Sequence, residues 1–173
     1  MSRVALFVHG GRNDATELGR DVATWLVAQG HDVVLADPDA SLLATDGYGL
    51  DDDETVLDLV VAIGGDGTVL RAAQRAVRDD AAILGINLGQ LGYLAEVEPS
   101  GWQPALEGFL ADRHRVEERL MVSARVGNDP PVRPALNEVV IEKAATGHTV
   151  RLGVRIDGEF FTSYVADGVI IAT

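Results

Sequence analysis

Between residues 4 and 86 short apolar runs alternate with stretches of helical spacing, and this alternation restricts the fold more than any other feature of the chain. Residues 4–9 (VALFVH) read as a buried strand followed by a Gly10-Gly11 loop. Over 14–29 the apolar positions Ala15, Leu18, Val22, Trp25 and Leu26 recur on one helical face, and Gly30 ends the helix. Residues 31–36 (HDVVLA) predict a second strand. Residues 59–63 (LVVAI), 68–78 and 82–86 (AILGI) then read as strand, helix and strand, and a further helix is expected over 104–111. Strands too apolar to face water, joined by helices, imply a parallel sheet built from βαβ units. The acidic stretch 37–57 is loop-like, and its densest run, Asp51-Asp52-Asp53-Glu54, reads as a solvated loop or a frayed helix start.

Past about residue 115 the pattern changes to strands alone: 119–126, 136–142, 149–156, 159–166 and 168–172. Asp157-Gly158 between two of them is a strong hairpin signal, because glycine takes the positive φ of a tight turn. The expected organisation is an α/β domain over 1–100, a helical linker over 101–118 and an incomplete all-β domain over 119–173. The last residues, 169–173 (VIIAT), form an apolar strand with nothing after it, so a truncated sequence is expected.

Composition narrows the chemistry. The chain has no cysteine, which excludes disulfides and thiolate metal sites. His9, His31, His114 and His148 have no close ligand spacing, so no zinc site is expected. Neither a leader nor an apolar run of membrane-spanning length is visible, which reads as cytoplasmic. A formal net charge of −13 argues against nucleic acid or an anionic membrane as partner. Any site for a phosphorylated ligand must therefore be made locally positive by backbone amides and a few arginines.

Ile63-Gly64-Gly65-Asp66-Gly67-Thr68 lies where a buried strand passes into a helix. Glycines there let amides approach a phosphate, and the helix start adds partial positive charge. A carboxylate in the same turn repels phosphate. Asp66 therefore suits a different task, taking a proton from an attacking hydroxyl or helping to hold a metal ion. The alternative is a plain tight turn with Asp66 capping the helix. Arg71, Arg75 and Arg78 share one helix face; Arg71 is close enough to reach a phosphate at the helix start, and the other two read as solvated.

In this company the sequence resembles the NAD kinase family. Gly64-Gly65-Asp66-Gly67-Thr68 resembles the family's GGDGT, and Asn87-Leu88-Gly89-Gln90-Leu91-Gly92-Tyr93-Leu94 its N-x-G-x-L-G-F-L segment, with Tyr93 where Phe is common. Leu136-Asn137-Glu138-Val139-Val140-Ile141 resembles its N-E segment, and Asp167-Gly168 its later D-G segment. The resemblance implies a Rossmann-like α/β domain, akin to diacylglycerol kinases and phosphofructokinases, followed by the first part of a β-sandwich. It implies Asp66 as general base toward the ribose 2′-hydroxyl of NAD, with Gly64, Gly65, Gly67 and Thr68 lining the diphosphate and the phosphoryl donor. Tyr93 would stack on adenine. Asn137 and Glu138 would hydrogen-bond ribose or amide groups, Asp167 would complete the site, from a neighbouring subunit in one arrangement, and Arg71 and His148 fall near substrate. The donor is ATP with Mg²⁺, or polyphosphate, and the assembly a homodimer or homotetramer through the β domain. Relatives continue into a P-T/S-G-S/T-T-A-Y segment that lines the same site. Two other readings remain open here: a lipid kinase or phosphofructokinase sharing GGDG, and a catalytically silent nucleotide-binding fragment.

Overall fold

The computed structural model describes the chain except for Ala36 and residues 44–47, 51–53, 90–91, 128–132 and 145–146. It divides into two compact units, Met1–Glu117 and Glu118–Thr173.

The first unit is a parallel sheet covered on both faces. β1 (Arg3–Val8), β2 (Asp32–Leu35), β3 (Gly49–Leu50), β4 (Leu59–Gly64) and β5 (Ala82–Asn87) lie in the order β3-β2-β1-β4-β5. β1 and β4 are central, in register from Val4↔Leu59 to Val8↔Ile63. Their side chains alternate between two cores, as the two-residue period of a strand requires. Val4, Leu6 and Val8 with Leu59, Val61 and Ile63 meet Val22 and Leu26 of α1 (Asn13–Ala28) and Leu106 of α4 (Trp102–Leu110). Ala5, Phe7, Val60 and Ala62 meet Val69, Ala72 and Ala76 of α3 (Asp66–Asp79) on the other face. Trp25 and Trp102 join α1 to α4 edge to face, 5.7 Å between centroids. The helix expected over 104–111 is therefore α4, and it belongs to the first unit.

Two elements arise where the sequence predicts only loop. α2 (Asp37–Leu43) and β3 both fall within the acidic stretch 37–57. α2 is held from one side, because Asp39 is fully buried and accepts from the Val8 amide at 3.0 Å. The run Asp51-Asp52-Asp53 lies outside the described residues.

The expected solvated arginine stripe is also corrected. Arg75 and Arg78 both bond to Asp79 and to the Thr55 carbonyl, and the Leu57 amide donates to Asp79 Oδ2. The two guanidiniums thus tie residues 55–57 to the end of α3, a role that a helix-face reading cannot reveal. Burial pushes the Asp79 carboxyl pKa up, and the bonds from Arg75, Leu57 and Arg78 outweigh burial and hold it down at about 2. Because the folded pKa is depressed, the stabilisation is complete above the ordinary carboxylate value of about 3.9 and disappears as pH falls toward about 2. In urea titrations followed by circular dichroism, Asp79→Asn should be the less stable protein at pH 6, and the difference should shrink steadily between pH 4 and pH 2. A difference independent of pH would exclude this linkage.

The second unit consists of three antiparallel pairs. β6 (Val122–Ala124) pairs with β7 (Arg133–Ala135), β8 (Glu138–Glu142) with β11 (Gly168–Ala172), and β9 (Val150–Ile156) with β10 (Glu159–Ala166). Asp157-Gly158 turns the β9–β10 hairpin with both residues at positive φ, as its sequence predicts. Among the described residues of this unit none is fully buried, and Phe160, Phe161, Val165 and Ile170 stand exposed. A two-stranded ladder cannot cover its own apolar face.

Candidate functional site

The site follows from the strand order. From β1 the chain crosses to β2 on one side, and from β4 it crosses to β5 on the other. The connections diverge, so a crevice opens at the carboxyl ends of β1 and β4, where open α/β sheets bind ligands. Val8 ends one strand and Gly64 the other.

At Gly64 the backbone has no room for a side chain. A Cβ there would collide with Thr68 Oγ1 and approach His9 Cβ to 3.0 Å. Thr68, 6 % exposed, is packed beneath the turn. Gly65 is the residue that precedes the helix, and α3 begins at Asp66, two residues earlier than the periodicity predicts. Asp66 therefore does not cap the helix. It sits in the first turn, where the helix end favours negative charge. Its half-buried carboxylate is gripped by a second loop: the amides of Leu94 and Ala95 donate to Oδ1 at 3.0 and 3.3 Å, and that of Tyr93 to Oδ2 at 3.0 Å. An ionised carboxylate is an acceptor, so three converging donors suit it in that state. Gly92 makes the approach possible, since a Cβ there would lie 2.5 Å from Asp66 Oδ1.

The loop after β5 leans on the same turn. Leu88 donates its amide to the Gly64 carbonyl at 2.9 Å, and buried Asn87 accepts the Gly89 amide at 3.0 Å. Gln90 and Leu91 of this motif lie outside the described residues. The Tyr93 side chain is 89 % exposed while its backbone holds Asp66.

Arg71 is spoken for within the fold. Its Nη2 donates to the Val8 carbonyl at 2.6 Å and to Asp39 Oδ1 at 2.9 Å, and its guanidinium lies 5.3 Å from the centre of the Phe7 ring. It braces α3 and α2 against the end of β1. His9 and Arg12 flank Gly10 and Gly11 in the loop after β1. Their only sequence signal is a histidine and an arginine around Gly10-Gly11 directly after a buried strand.

In the second unit Asn137 and Glu138 are exposed at the start of β8. The Asn137 carbonyl accepts from the Thr173 amide at 3.2 Å. Asp167 lies at the other end of the same strand pair, where Gly168 faces Glu142, and it bonds Lys143 Nζ at 2.5 Å. Five residues of strand, about 17 Å, thus separate the Glu138 and Asp167 positions within one chain. His148 is exposed in the connection between β8 and β9. Among the described residues no group of three or more histidines, aspartates and glutamates could hold a metal ion, and no helix is long and apolar enough to cross a membrane.

Residues 4–114 match the family model described as the ATP-NAD kinase N-terminal domain. The chain belongs to the NAD kinase family. The NAD kinase of Heliobacterium modesticaldum is 36% identical over 179 residues, covering 100% of this chain and 62% of the relative. That of Moorella thermoacetica is 34% identical over 176 residues, covering 100% and 57%. The chain thus spans about three fifths of the length of the curated relatives it matches. Yeast NADH kinase, solved in complex with NADH, superposes with a TM-score of 0.83 at 21% identity, covering 99% of this chain and 57% of that one. An Archaeoglobus fulgidus NAD kinase in complex with ATP gives 0.64 at 21% identity, covering 98% and 60%. These structures share the fold of an NAD kinase, and the lipid-kinase alternative gains nothing from these relatives.

Proposed function

We propose that the chain supplies the phosphoryl-transfer half of a cytoplasmic NAD kinase that phosphorylates the adenosine 2′-hydroxyl of NAD. The observation that carries this reading is the glycine turn at the crevice between β1 and β4, with the Asp66 carboxylate oriented by the amides of Tyr93, Leu94 and Ala95. Two relatives in fold were solved with NADH and with ATP, the two kinds of substrate such an enzyme needs.

In this mechanism Asp66 accepts the proton of the 2′-hydroxyl while that oxygen attacks the γ-phosphorus of ATP. The bond from the γ-phosphorus to the bridging oxygen breaks, and ADP leaves. Mg²⁺ arrives with ATP as part of the substrate. Polyphosphate is the alternative donor to ATP, since its terminal phosphoryl group presents the same chemistry. Gly64, Gly65, Gly67 and Thr68 line the phosphates, Tyr93 stacks on adenine, and Asn137, Glu138, His148 and Asp167 complete the NAD site. Because Glu138 and Asp167 stand at opposite ends of one strand pair, a homodimer or homotetramer that brings Asp167 from a neighbouring subunit suits this site better than one chain alone.

The test is NADP formation with NAD, ATP and Mg²⁺, run on this chain and on the longest natural polypeptide that contains it. NADP that depends on all three reagents is expected from the longer polypeptide. NAD binding without NADP from either protein would replace the kinase with a silent nucleotide-binding module.

A further inference from the structure

The loop after β1 forms the other lip of the crevice, and the reading above gives it no task. Its two glycines, Gly10 and Gly11, are exposed. It folds back on itself through the Gly11 amide, which donates to His9 Nδ1 at 3.2 Å, and the Arg12 amide, which donates to the His9 carbonyl at 3.4 Å. His9 Cβ would lie 3.0 Å from a Cβ at Gly64, so this loop and the glycine turn are in contact. Arg12 reaches further, toward the loop after β5: a Cβ at Gly89 would lie 3.9 Å from Arg12 Nη1.

The orientation of Arg12 is set by its own helix. Asp14, in the first turn of α1, accepts from Arg12 Nε at 3.0 Å and from Nη2 at 2.6 Å. A guanidinium has two forked edges, one made by Nε and Nη2 and the other by Nη1 and Nη2. Asp14 occupies the first. Among the described residues Nη1 makes no hydrogen bond, and it is turned toward Gly89. Asp14 is itself fixed through the Ala15 amide at 2.9 Å. The arginine is thus locked at one edge and open at the other, at the mouth of the crevice.

Charge makes this edge matter. The chain carries a formal net charge of −13, and Asp66 adds a carboxylate at the centre of the site. A triphosphate needs cations there; Arg71 is anchored through Nη2 to Val8 and buried Asp39, beneath the end of β1, while Arg12 stands at the loop beside Gly89. We propose that Arg12, aligned by Asp14, binds the phosphate chain of the phosphoryl donor through its Nη1 edge, and that the Gly10-Gly11 backbone gives that chain room to enter. This rests on the kinase reading and adds to it a donor-binding residue and a positioning residue. Phosphate binds a guanidinium fork with two parallel charge-assisted bonds, which a lysine cannot reproduce.

The experiment is calorimetric titration with MgATP, together with steady-state kinetics, on the longest natural polypeptide containing this sequence. Arg12→Ala is expected to raise both the Kd and the KM for MgATP by about 10- to 100-fold. The KM for NAD and the thermal midpoint should stay near those of the unmodified protein. Arg12→Lys should recover part of the loss, and Asp14→Ala should give a smaller rise because the arginine remains but is no longer aligned. Arg12→Gln, which keeps a polar side chain on the loop, stands in if Arg12→Ala does not fold. Unchanged MgATP binding in Arg12→Ala, or a rise confined to the KM for NAD, would overturn the proposal. If the unmodified protein binds MgATP but makes no NADP, the kinase reading fails while loss of MgATP binding in Arg12→Ala still upholds the role of Arg12. If the unmodified protein does not bind MgATP at all, both fall.

Discussion

Asp66→Asn is expected to lower NADP formation by about 10²- to 10⁴-fold, the usual contribution of a general base, while NAD binding persists. The substitution removes the proton acceptor and leaves the side chain almost the same size. Its structural cost includes the contact with Tyr93. The amide oxygen can still accept from Leu94 and Ala95, but the amide nitrogen then faces the Tyr93 N–H, donor against donor. Leaving such a group unsatisfied costs about 1–3 kcal/mol, which a thermal unfolding curve measures separately. Turnover within a few-fold of the unmodified enzyme would remove Asp66 from the chemical step.

Gly92→Ala should produce the second large effect without touching any reacting group. Its methyl would lie 2.5 Å from Asp66 Oδ1, closer than packed carbons and oxygens come, so either the loop or the carboxylate must move. A displacement of about 1 Å at a catalytic group can cost about 10²-fold in rate. The expected result is a fall in kcat of that order with little change in the KM for ATP, because the donor is held elsewhere. The clash falls on the Asp66 carboxylate and not on backbone, so the thermal midpoint should drop only modestly. Equal losses in kcat and in folding stability would show Gly92 to matter for the fold alone.

The α/β architecture was legible because its determinants are local. Unbroken apolar runs of strand length mark β1, β2, β4 and β5, and a 3.6-residue period marks α1 and α3; both can be read within a dozen residues. The same holds for the turn at Asp157-Gly158 and for GGDG between strand and helix. α2 was not legible, because its seven residues contain Pro38 and two aspartates. What anchors it is a contact with the Val8 amide, 31 positions away.

The reading of Arg75 and Arg78 as solvated failed for the same reason. A sequence shows that Arg71, Arg75 and Arg78 share a face, but whether a guanidinium meets water, a carbonyl or a ligand depends on which loops lie opposite. Arg71 finds Val8, 63 positions away, and Arg75 finds Thr55, 20 positions away. Arg12, with no helical pattern to mark it, arrives beside Gly89.

The sequence by itself determined that the chain makes a parallel sheet, that a carboxylate sits in a phosphate-suited turn, and that the family is that of the NAD kinases. The first two are written in spacing and residue type over short stretches, and the third rests on the resemblance of four segments to the family's motifs. Only the tertiary structure decided how Asp66 is aimed, why Gly92 must lack a side chain and that Arg12 comes to lie beside Gly89. Those depend on loops from β1, β4 and β5 converging at one end of the sheet, and strand order brings them together across up to 83 positions of chain, from Arg12 to Ala95.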